Sequence, residues 1–390
     1  MNYILHDGQL ADQLLPFTYT RPVADIRIGI QTIREKWEGM LQSPTSTRTR
    51  PHLSKLWPLI EASQNTYVDA SYLPTAALVE KVKALQPGQA IYDAETPIAY
   101  CCEQGQKLDD GFEVEQYASA DIFRIQHTWD IFTKNKEAIK QDFERLTAGR
   151  DSQSIPEGCA VINPEQIFIE EGARVIFSSL NAEDGPIYIG KDALVMEGSR
   201  IRGPFSLGEK STVKMGAKIY SGTTIGPQCK VGGEVNNSVL FGYSNKGHDG
   251  FLGNSVLGEW CNIGADSNTS NLKNNYAEVR LWDYAAQSFA RTGLQFCGLI
   301  MGDHSKCGIN TMFNTGTVVG VSANVFGTGF PRNYIPSFSW GGSAGFTTYQ
   351  TRKALETANA MMGRRDMELS PEETEILLHV FEETAGFRRN

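Results

Sequence analysis

A single histidine interrupts a run of glycine, asparagine and apolar residues in GYSNKGHDGFLGNSVLGEWCNIGADSN, residues 242–268. Imidazole side chains exchange protons near neutral pH, so a histidine can serve as a general base. General-base help of this kind contributes roughly 10² to 10⁴ in rate. His248 is therefore the first candidate for catalysis, and the alternative is a histidine that only closes a loop through a hydrogen bond.

Two aspartates follow strand-like runs near the amino terminus. Asp69 ends TYVD and Asp93 ends IYD. Carboxylate oxygens are the ligands that Mg²⁺ prefers, so this pair is a candidate metal site. An aspartate at the end of a strand is also a common turn residue, and that alternative stays open.

A six-residue period indicates what positions His248. From Ile189 onward the chain divides into eight hexads that each begin with Ile, Val or Leu: IGKDAL, VMEGSR, IRGPFS, LGEKST, VKMGAK, IYSGTT, IGPQCK and VGGEVN. A helix face repeats every three or four residues and an alternating strand every two, so neither explains a period of six. The period predicts a solenoid whose first hexad positions point inward, with three hexads in each triangular coil.

The hexads resume at Leu257 and again at Met301. Between them, residues 271–298 break the period, which predicts an excursion from the coil. The repeat domain is predicted to span residues 160–340.

The two ends of the chain have other patterns. Residues 1–150 alternate strand-like and helix-like segments, which predicts an α/β domain with a bridging helix at its end. Residues 346–390 predict a helical tail, in which Ser370 and Glu373 form a capping box and Pro371 suits the first turn.

Composition narrows the class of protein. The 390 residues carry a formal net charge of -9, which argues against nucleic acid as the main partner. Seven cysteines without paired zinc spacing favour reduced thiols and a cytoplasmic location. No apolar run of 18 residues occurs, so no membrane span is expected, and the first residues do not form a secretory signal.

The repeats together with KGHDGFLG and NIGADSNTSNLKNNY resemble the hexapeptide-repeat acyltransferases. They are most similar to the acetyltransferase domain of bifunctional UDP-N-acetylglucosamine pyrophosphorylase/glucosamine-1-phosphate N-acetyltransferases, in a variant form known among Bacteroidetes. The resemblance implies a left-handed parallel β-helix, a homotrimer, acetyl-CoA as acyl donor, a sugar phosphate as acceptor, and His248 as general base. Asn236 and Ser238 stand where the family has acidic and lysine side chains, so the identity of the acceptor stays open.

The same resemblance, together with the chemistry of the side chains, indicates further site residues. Ala265 is the candidate contact for CoA. The candidates for binding the acceptor are cations, carboxamides and one aromatic residue: Lys218, Lys246, Phe251, Asn262, Asn271 and Lys273. Each lysine has the alternative of a solvated coil surface, and each asparagine that of a coil corner.

The segment LLPFTYTRPVADIRIG, residues 14–29, resembles the opening of sugar-nucleotide pyrophosphorylases. The resemblance implies a phosphate-binding loop containing Gly8, nucleotide contacts from Arg21 and Arg27, a nucleoside triphosphate as partner, and Mg²⁺. Gln13 and Val23 replace the arginine and lysine expected in this motif.

Three hypotheses follow. The first is an acetyl-CoA-dependent N-acetyltransferase acting on an amino sugar phosphate, in sugar-nucleotide synthesis. The second makes the amino-terminal domain a sugar-1-phosphate nucleotidyltransferase that uses UTP or dTTP. The third is a non-catalytic scaffold that binds a sugar nucleotide.

Overall fold

The computed structural model describes residues 2–108, 111–117 and 122–388. The chain forms two compact units. The first unit contains residues up to Leu14, Thr20–Ile26 and Gln31–His127. The second contains Leu15–Tyr19, Arg27–Ile30 and the chain from Thr128 onward.

The first unit is an α/β domain built on a six-stranded sheet. The strands lie in the order Thr45–Arg48, Asn2–His6, Gln64–Asp69, Thr96–Glu103, Gln89–Asp93 and Glu113–Gln116. The three strands that begin this order are parallel, and Thr96–Glu103 runs antiparallel to both of its neighbours. The unit also contains helices Ile33–Leu41 and Ala76–Ala84, 3₁₀ turns Ala11–Leu14 and Val23–Asp25, and the short strand Gln31–Thr32.

Local capping explains where the two helices begin. The Thr32 hydroxyl accepts the Glu35 amide at 3.2 Å, and the Glu35 carboxylate accepts the Thr32 amide at 2.6 Å. This reciprocal pair satisfies two amides that a helix start leaves without partners. The Thr75 hydroxyl accepts the Leu78 amide in the same way.

The second unit is a parallel β-helix in which the chain visits three sheets in rotation. The strands of one sheet are Ile167–Ile169, Ile187–Ile189, Phe205–Leu207, Thr223–Ile225, Val239–Gly242, Val256–Glu259, Leu299–Met301, Thr317–Val319 and Tyr334–Ile335. The next face contains Arg174–Val175, Leu194–Val195, Thr212–Val213, Lys230–Val231, Asn245–Lys246, Asn262–Ile263, Lys306–Cys307, Asn324–Val325, Ser339–Gly342 and Gly345–Thr348. The remaining face contains Ala160–Ile162, Ser179–Asn181, Arg200–Arg202, Lys218–Ile219, Glu234–Asn236 and Phe251–Gly253, followed by the separate pair Asn268–Thr269 and Met312–Phe313.

Inward side chains stack into a narrow apolar core. Aligned positions on the first face are fully buried, with exposures of 0% for Ile189, Leu207, Ile225, Leu240, Leu257, Met301, Val319 and Ile335. Most of these residues open a hexad, because that position faces the coil interior. The sequence period and the buried stack therefore agree.

An excursion and a helical tail complete the second unit. The antiparallel hairpin Arg280–Asp283 and Ser288–Arg291 interrupts the coil where the hexads break. The helices are Asp130–Thr133, Asn135–Thr147, Thr351–Gly363 and Pro371–Glu383, with 3₁₀ turns Phe17–Tyr19, Pro164–Gln166 and Ala385–Arg388 and the short strand Arg27–Ile28. Ser370 and Glu373 form the expected capping box. The predicted fold class, an α/β domain followed by a parallel β-helix and a helical tail, is confirmed.

Two segments outside the coils belong to the second unit. Helix Asn135–Thr147 belongs to the second unit because buried Asn135 donates to the Gly222 carbonyl at 2.9 Å and to Thr224 Oγ1 at 3.0 Å. Segment Arg27–Ile30 also belongs there, since Thr224 Oγ1 donates to the Gly29 carbonyl at 2.8 Å. No helix of the described residues has the length and apolar character needed to cross a membrane.

Candidate active site

His248 lies on an exposed turn between strands Asn245–Lys246 and Phe251–Gly253. Gly250 has a φ of 107°, and a Cβ atom there would lie 2.2 Å from the Ser267 carbonyl oxygen. Only glycine fits such a close approach of two backbones. The turn therefore has a fixed path, and it presents the imidazole at the surface of the coil.

A cavity of about 730 Å³ contains His248 in its wall. Five basic side chains share this wall: Lys214, Lys230, Lys306, Arg364 and Arg365. None of the described residues that line the cavity is acidic. Such a wall attracts phosphate groups, which guanidinium and ammonium side chains bind through charge-assisted hydrogen bonds.

The end of helix Thr351–Gly363 lies over this face of the coil. Arg365, two residues beyond it, donates from Nη2 to the Gln228 carbonyl at 2.6 Å and to Asn245 Oδ1 at 3.3 Å. Burial lowers the pKa of Arg365, and burial together with Arg365 and Lys214 lowers the pKa of Lys230. The cations are thus close enough to repel one another, and an anionic ligand would relieve that repulsion.

Two predicted binding residues share the cavity with His248. Asn262 and Ala265 both line it. The Asn262 backbone pairs with Asn245 and Lys306 across neighbouring coils, so these side chains follow one another along the same face. The Lys306 ammonium donates to the His304 carbonyl at 2.8 Å, and burial lowers the pKa of Lys306 to about 8.

The prediction that Lys246 contacts substrate is wrong. Its side chain points into the coil and is only 1% exposed. The ammonium donates to the Gly232 carbonyl at 2.9 Å and to the His248 carbonyl at 2.6 Å. The coil shortens here, since Lys230 pairs with Asn245 only 15 residues later, whereas Thr212 pairs with Lys230 after 18. This shift brings the lysine into an inward position.

Four other predicted acceptor ligands do not line the His248 cavity. Exposed Lys218 lies 3.9 Å from a Glu234 carboxylate oxygen, and Phe251 lies on another face of the coil. Asn271 donates to Asn254 Oδ1 at 2.8 Å. Lys273 donates to the Glu278 carbonyl at 2.7 Å and lines a separate cavity of about 900 Å³.

Sequence reasoning missed the five cations of the wall. For Lys230 and Lys306 a signal existed, because each directly precedes an inward residue, as Asn245 and Asn262 also do. No comparable signal exists for Arg364 and Arg365. They lie more than a hundred residues after His248 in the chain, so the sequence does not show that they lie over the same face of the coil.

The first unit contains a second cleft of about 910 Å³. Asp7, Gly8 and Asp69 line it together with the basic side chains Arg48, Arg50, Lys107 and Arg124. Gly8 has a φ of 59°, and a Cβ atom there would lie 2.7 Å from Asp69 Oδ2. The predicted loop glycine is therefore packed directly against the predicted carboxylate.

The carboxylates predicted to bind Mg²⁺ are not brought together in this cleft. Asp69 Oδ1 accepts the Ser71 amide at 2.8 Å, Arg124 lies 3.7 Å from Asp69 Oδ2, and burial raises the pKa of Asp69. Asp93 accepts the Tyr72 hydroxyl at 3.0 Å and does not line the cleft. Of the two predicted metal ligands, only Asp69 therefore lines the cleft, and it lies beside an arginine.

The two predicted nucleotide-binding arginines also lie outside the lining of this cleft. Arg21 is buried, with an exposure of 6%. Arg27 belongs to the second unit, where it donates to the Phe241 carbonyl at 2.8 Å and to the Ile30 carbonyl at 2.7 Å. Its guanidinium thus holds two backbone segments together.

Comparisons with known proteins find one family match, one similar sequence and several similar structures. Residues 3–151 match the family described as sugar nucleotidyl transferase. Over 87 residues the chain is 32% identical to the bifunctional protein GlmU of Methanocaldococcus jannaschii, and the match covers 22% of this chain. It spans about a fifth of that relative, 21% of its length. The class of protein that the family match indicates is a transferase.

Two solved structures align with larger parts of the chain. One is the UDP-N-acetylglucosamine acyltransferase of Arabidopsis, at 14% identity and a TM-score of 0.26, covering 61% of this chain and 99% of that one. The other is a mutant of AntD, an N-acyltransferase from Bacillus cereus, in complex with dTDP and coenzyme A. Its identity is 13% and its TM-score 0.22, with 54% of this chain and 92% of that one covered.

Proposed function

We propose that the protein is an acetyl-CoA-dependent N-acetyltransferase that acts on an amino sugar phosphate in sugar-nucleotide synthesis. The observation that carries this proposal is the position of His248 in one cavity with five cations. Both proposed substrates are anionic: acetyl-CoA through its phosphates and the acceptor through its own phosphate. A cationic cavity with a proton acceptor in its wall suits both of them.

The proposed chemistry needs one base and no metal ligand. The acceptor amine attacks the thioester carbon, a C–N bond forms, and the C–S bond breaks. His248 takes the proton that the amine loses, and the CoA thiolate leaves to be protonated. Asn262 and backbone amides of the turn are near enough to the cavity to bind polar groups of the substrates.

The test follows release of free thiol from acetyl-CoA in the presence of glucosamine-1-phosphate. We expect turnover by the native protein and a loss of about 10² to 10⁴ in kcat for His248→Ala. His304→Ala is the matched control, because His304 also lies at a coil corner yet does not line the cavity. Equal turnover by native protein and a folded His248→Ala variant would exclude the proposed base.

We also propose that the protein forms a homotrimer, which the resemblance of the repeats to a trimeric family supports. Sedimentation at micromolar concentration is expected to give three times the 43.1 kDa mass of the chain. A 43.1 kDa species alone would contradict this proposal.

A second candidate function is a sugar-1-phosphate nucleotidyltransferase in the first unit. The family match over residues 3–151 favours it, and so does the cleft, whose wall offers Arg48, Arg50 and Arg124 to phosphate groups. Release of pyrophosphate from UTP or dTTP with a sugar-1-phosphate would establish this activity, and His248→Ala is expected to leave it unchanged. Binding of a sugar nucleotide without turnover in either assay would support the non-catalytic scaffold instead.

A further inference from the structure

Lys246 occupies a place in the coil that is otherwise apolar. On the face that precedes the His248 turn, the aligned inward residues are Val195, Val213, Val231, Lys246, Ile263, Cys307 and Val325. All of them are buried, and Lys246 is 1% exposed. A buried ammonium costs free energy of desolvation, and an apolar side chain of similar volume avoids that cost.

The ammonium reaches the backbone of the His248 turn from inside the coil. Lys246 Nζ lies 2.6 Å from the His248 carbonyl oxygen and 2.9 Å from the Gly232 carbonyl oxygen. It therefore connects the turn with the coil beneath it. Ionised donors form stronger hydrogen bonds than neutral donors, especially where water is excluded.

The coil beneath is shaped to receive this turn. A Cβ atom on Gly232 would lie 2.7 Å from the Gly247 carbonyl oxygen, and one on Gly233 would lie 2.8 Å from the Asp249 Cα. Because Gly232 and Gly233 have no side chains, the turn can pack closely on the coil beneath it. Lys246 binds the turn in this position through its hydrogen bond to the His248 carbonyl. The close backbone packing at Gly232 and Gly233 and the hydrogen bond from Lys246 thus both fix the position of residues 247–250.

We propose that Lys246 is a positioning residue that fixes the turn bearing His248 by binding its carbonyl from within the coil. This inference rests on the proposed role of His248 in acyl transfer. Lys246 does not contact the substrates, since it is buried in the coil. It acts by limiting the positions from which the imidazole can meet the acceptor amine.

The experiment compares native protein with Lys246→Met, which keeps an unbranched side chain, one atom shorter, and removes the charge. We expect kcat for acetyl transfer to fall about 10- to 100-fold, because small displacements of a catalytic group have effects of this size. The KM for acetyl-CoA is expected to stay within about twofold, since the cationic wall is unchanged. The lost hydrogen bonds and the relieved desolvation of the ammonium oppose each other, so Lys246→Met is expected to lower urea resistance at pH 7 less than a truncation of the apolar core does.

Val195→Ala is the matched control. Val195 lies on the same inward row three coils away, so its truncation weakens the core without changing the His248 turn. It is expected to lower urea resistance while kcat stays within about twofold. If Lys246→Met keeps the native kcat, or loses as much urea resistance as Val195→Ala together with kcat, the positioning role is wrong.

The pH dependence of unfolding gives a separate readout. Burial lowers the pKa of Lys246 to about 8, against the smaller opposing effects of Asp249, Asp266 and Cys307. Between pH 8 and about 10.5 the unfolded lysine holds a proton that the folded lysine has lost, so stability rises with pH in that window. Native protein should gain urea resistance relative to Lys246→Met over this range, and equal pH profiles would contradict the burial of a charged group.

Hydrogen exchange separates failure of this inference from failure of the proposed function. The amides of Glu234 and Asp266 donate to the Gly250 and Asp249 carbonyls, each at 3.1 Å, so their protection reports on the turn. We expect both amides to exchange about tenfold faster in Lys246→Met and unchanged in Val195→Ala. A native protein without acetyl transfer would overturn the proposed function, whereas unchanged exchange in Lys246→Met would overturn the positioning role.

Discussion

Asn135 offers a quantitative test of how the second unit is assembled. Its carboxamide accepts the Gly29 amide at 2.7 Å and donates to the Gly222 carbonyl at 2.9 Å, in a fully buried position. Asn135→Ala leaves both backbone groups without this partner. A buried polar group left unsatisfied costs about 1–3 kcal/mol, so two of them should lower the free energy of unfolding by roughly 2–6 kcal/mol.

The assay is urea unfolding of the full chain, followed by circular dichroism. With an m-value of about 3 kcal/mol/M, the loss should lower the midpoint of the β-helix transition by roughly 0.7–2 M. Gln141→Ala is the control. Gln141 is exposed on the same helix, and its side-chain amide donates to the Glu137 carboxylate at 2.9 Å. If Asn135→Ala and Gln141→Ala unfold at the same urea concentration, the carboxamide does not join these segments as we have reasoned.

Two further predictions concern single side chains. Burial, with a smaller effect from Arg48, lowers the pKa of His6 to about 3, so between pH 6.5 and 3 only the unfolded state takes up this proton. As the pH is lowered through this range, the free energy of unfolding should therefore decrease by up to about 1.4 kcal/mol per pH unit. Urea titrations at pH 7 and pH 5 should show a smaller decrease for His6→Gln than for the native protein. An equal decrease in both proteins would refute the prediction. Ser370→Ala removes the oxygen that accepts the Glu373 amide at 3.1 Å, so the stability of the tail helix should decrease by about 1 kcal/mol. Hydrogen exchange of amides 371–374 should become faster. Unchanged exchange would refute the role of the cap.

The fold could be predicted because nearly all side chains that point into the coil are apolar and recur every six residues. Ile189, Leu207 and Ile225 open their hexads and stack on one another, so their spacing directly reflects the coil. His248 could be singled out because it is the one histidine in a run of glycine, asparagine and apolar residues. These features depend on residues that are close together in the chain.

The rest of the candidate site depends on features that hexad counting does not resolve. Lys246 was expected at the surface, but the shortened coil brings it into the core. Arg365 reaches the cavity from a helix that begins more than a hundred residues after His248. Arg27 carries the charge expected of a nucleotide ligand, yet its hydrogen bonds go to the carbonyls of Phe241 and Ile30.

The bond between Gly29 and Thr224 joins residues that are 195 positions apart. On a ribosome that adds about 5–20 residues per second, the early segment waits roughly 10–40 s for its partner strand to be made. During that interval Phe17, Tyr19 and Ile30, all buried in the finished unit, have no β-helix to pack against. We expect nascent chains stopped before residue 224 to bind chaperones through this early segment, and longer chains to release them as the coil closes.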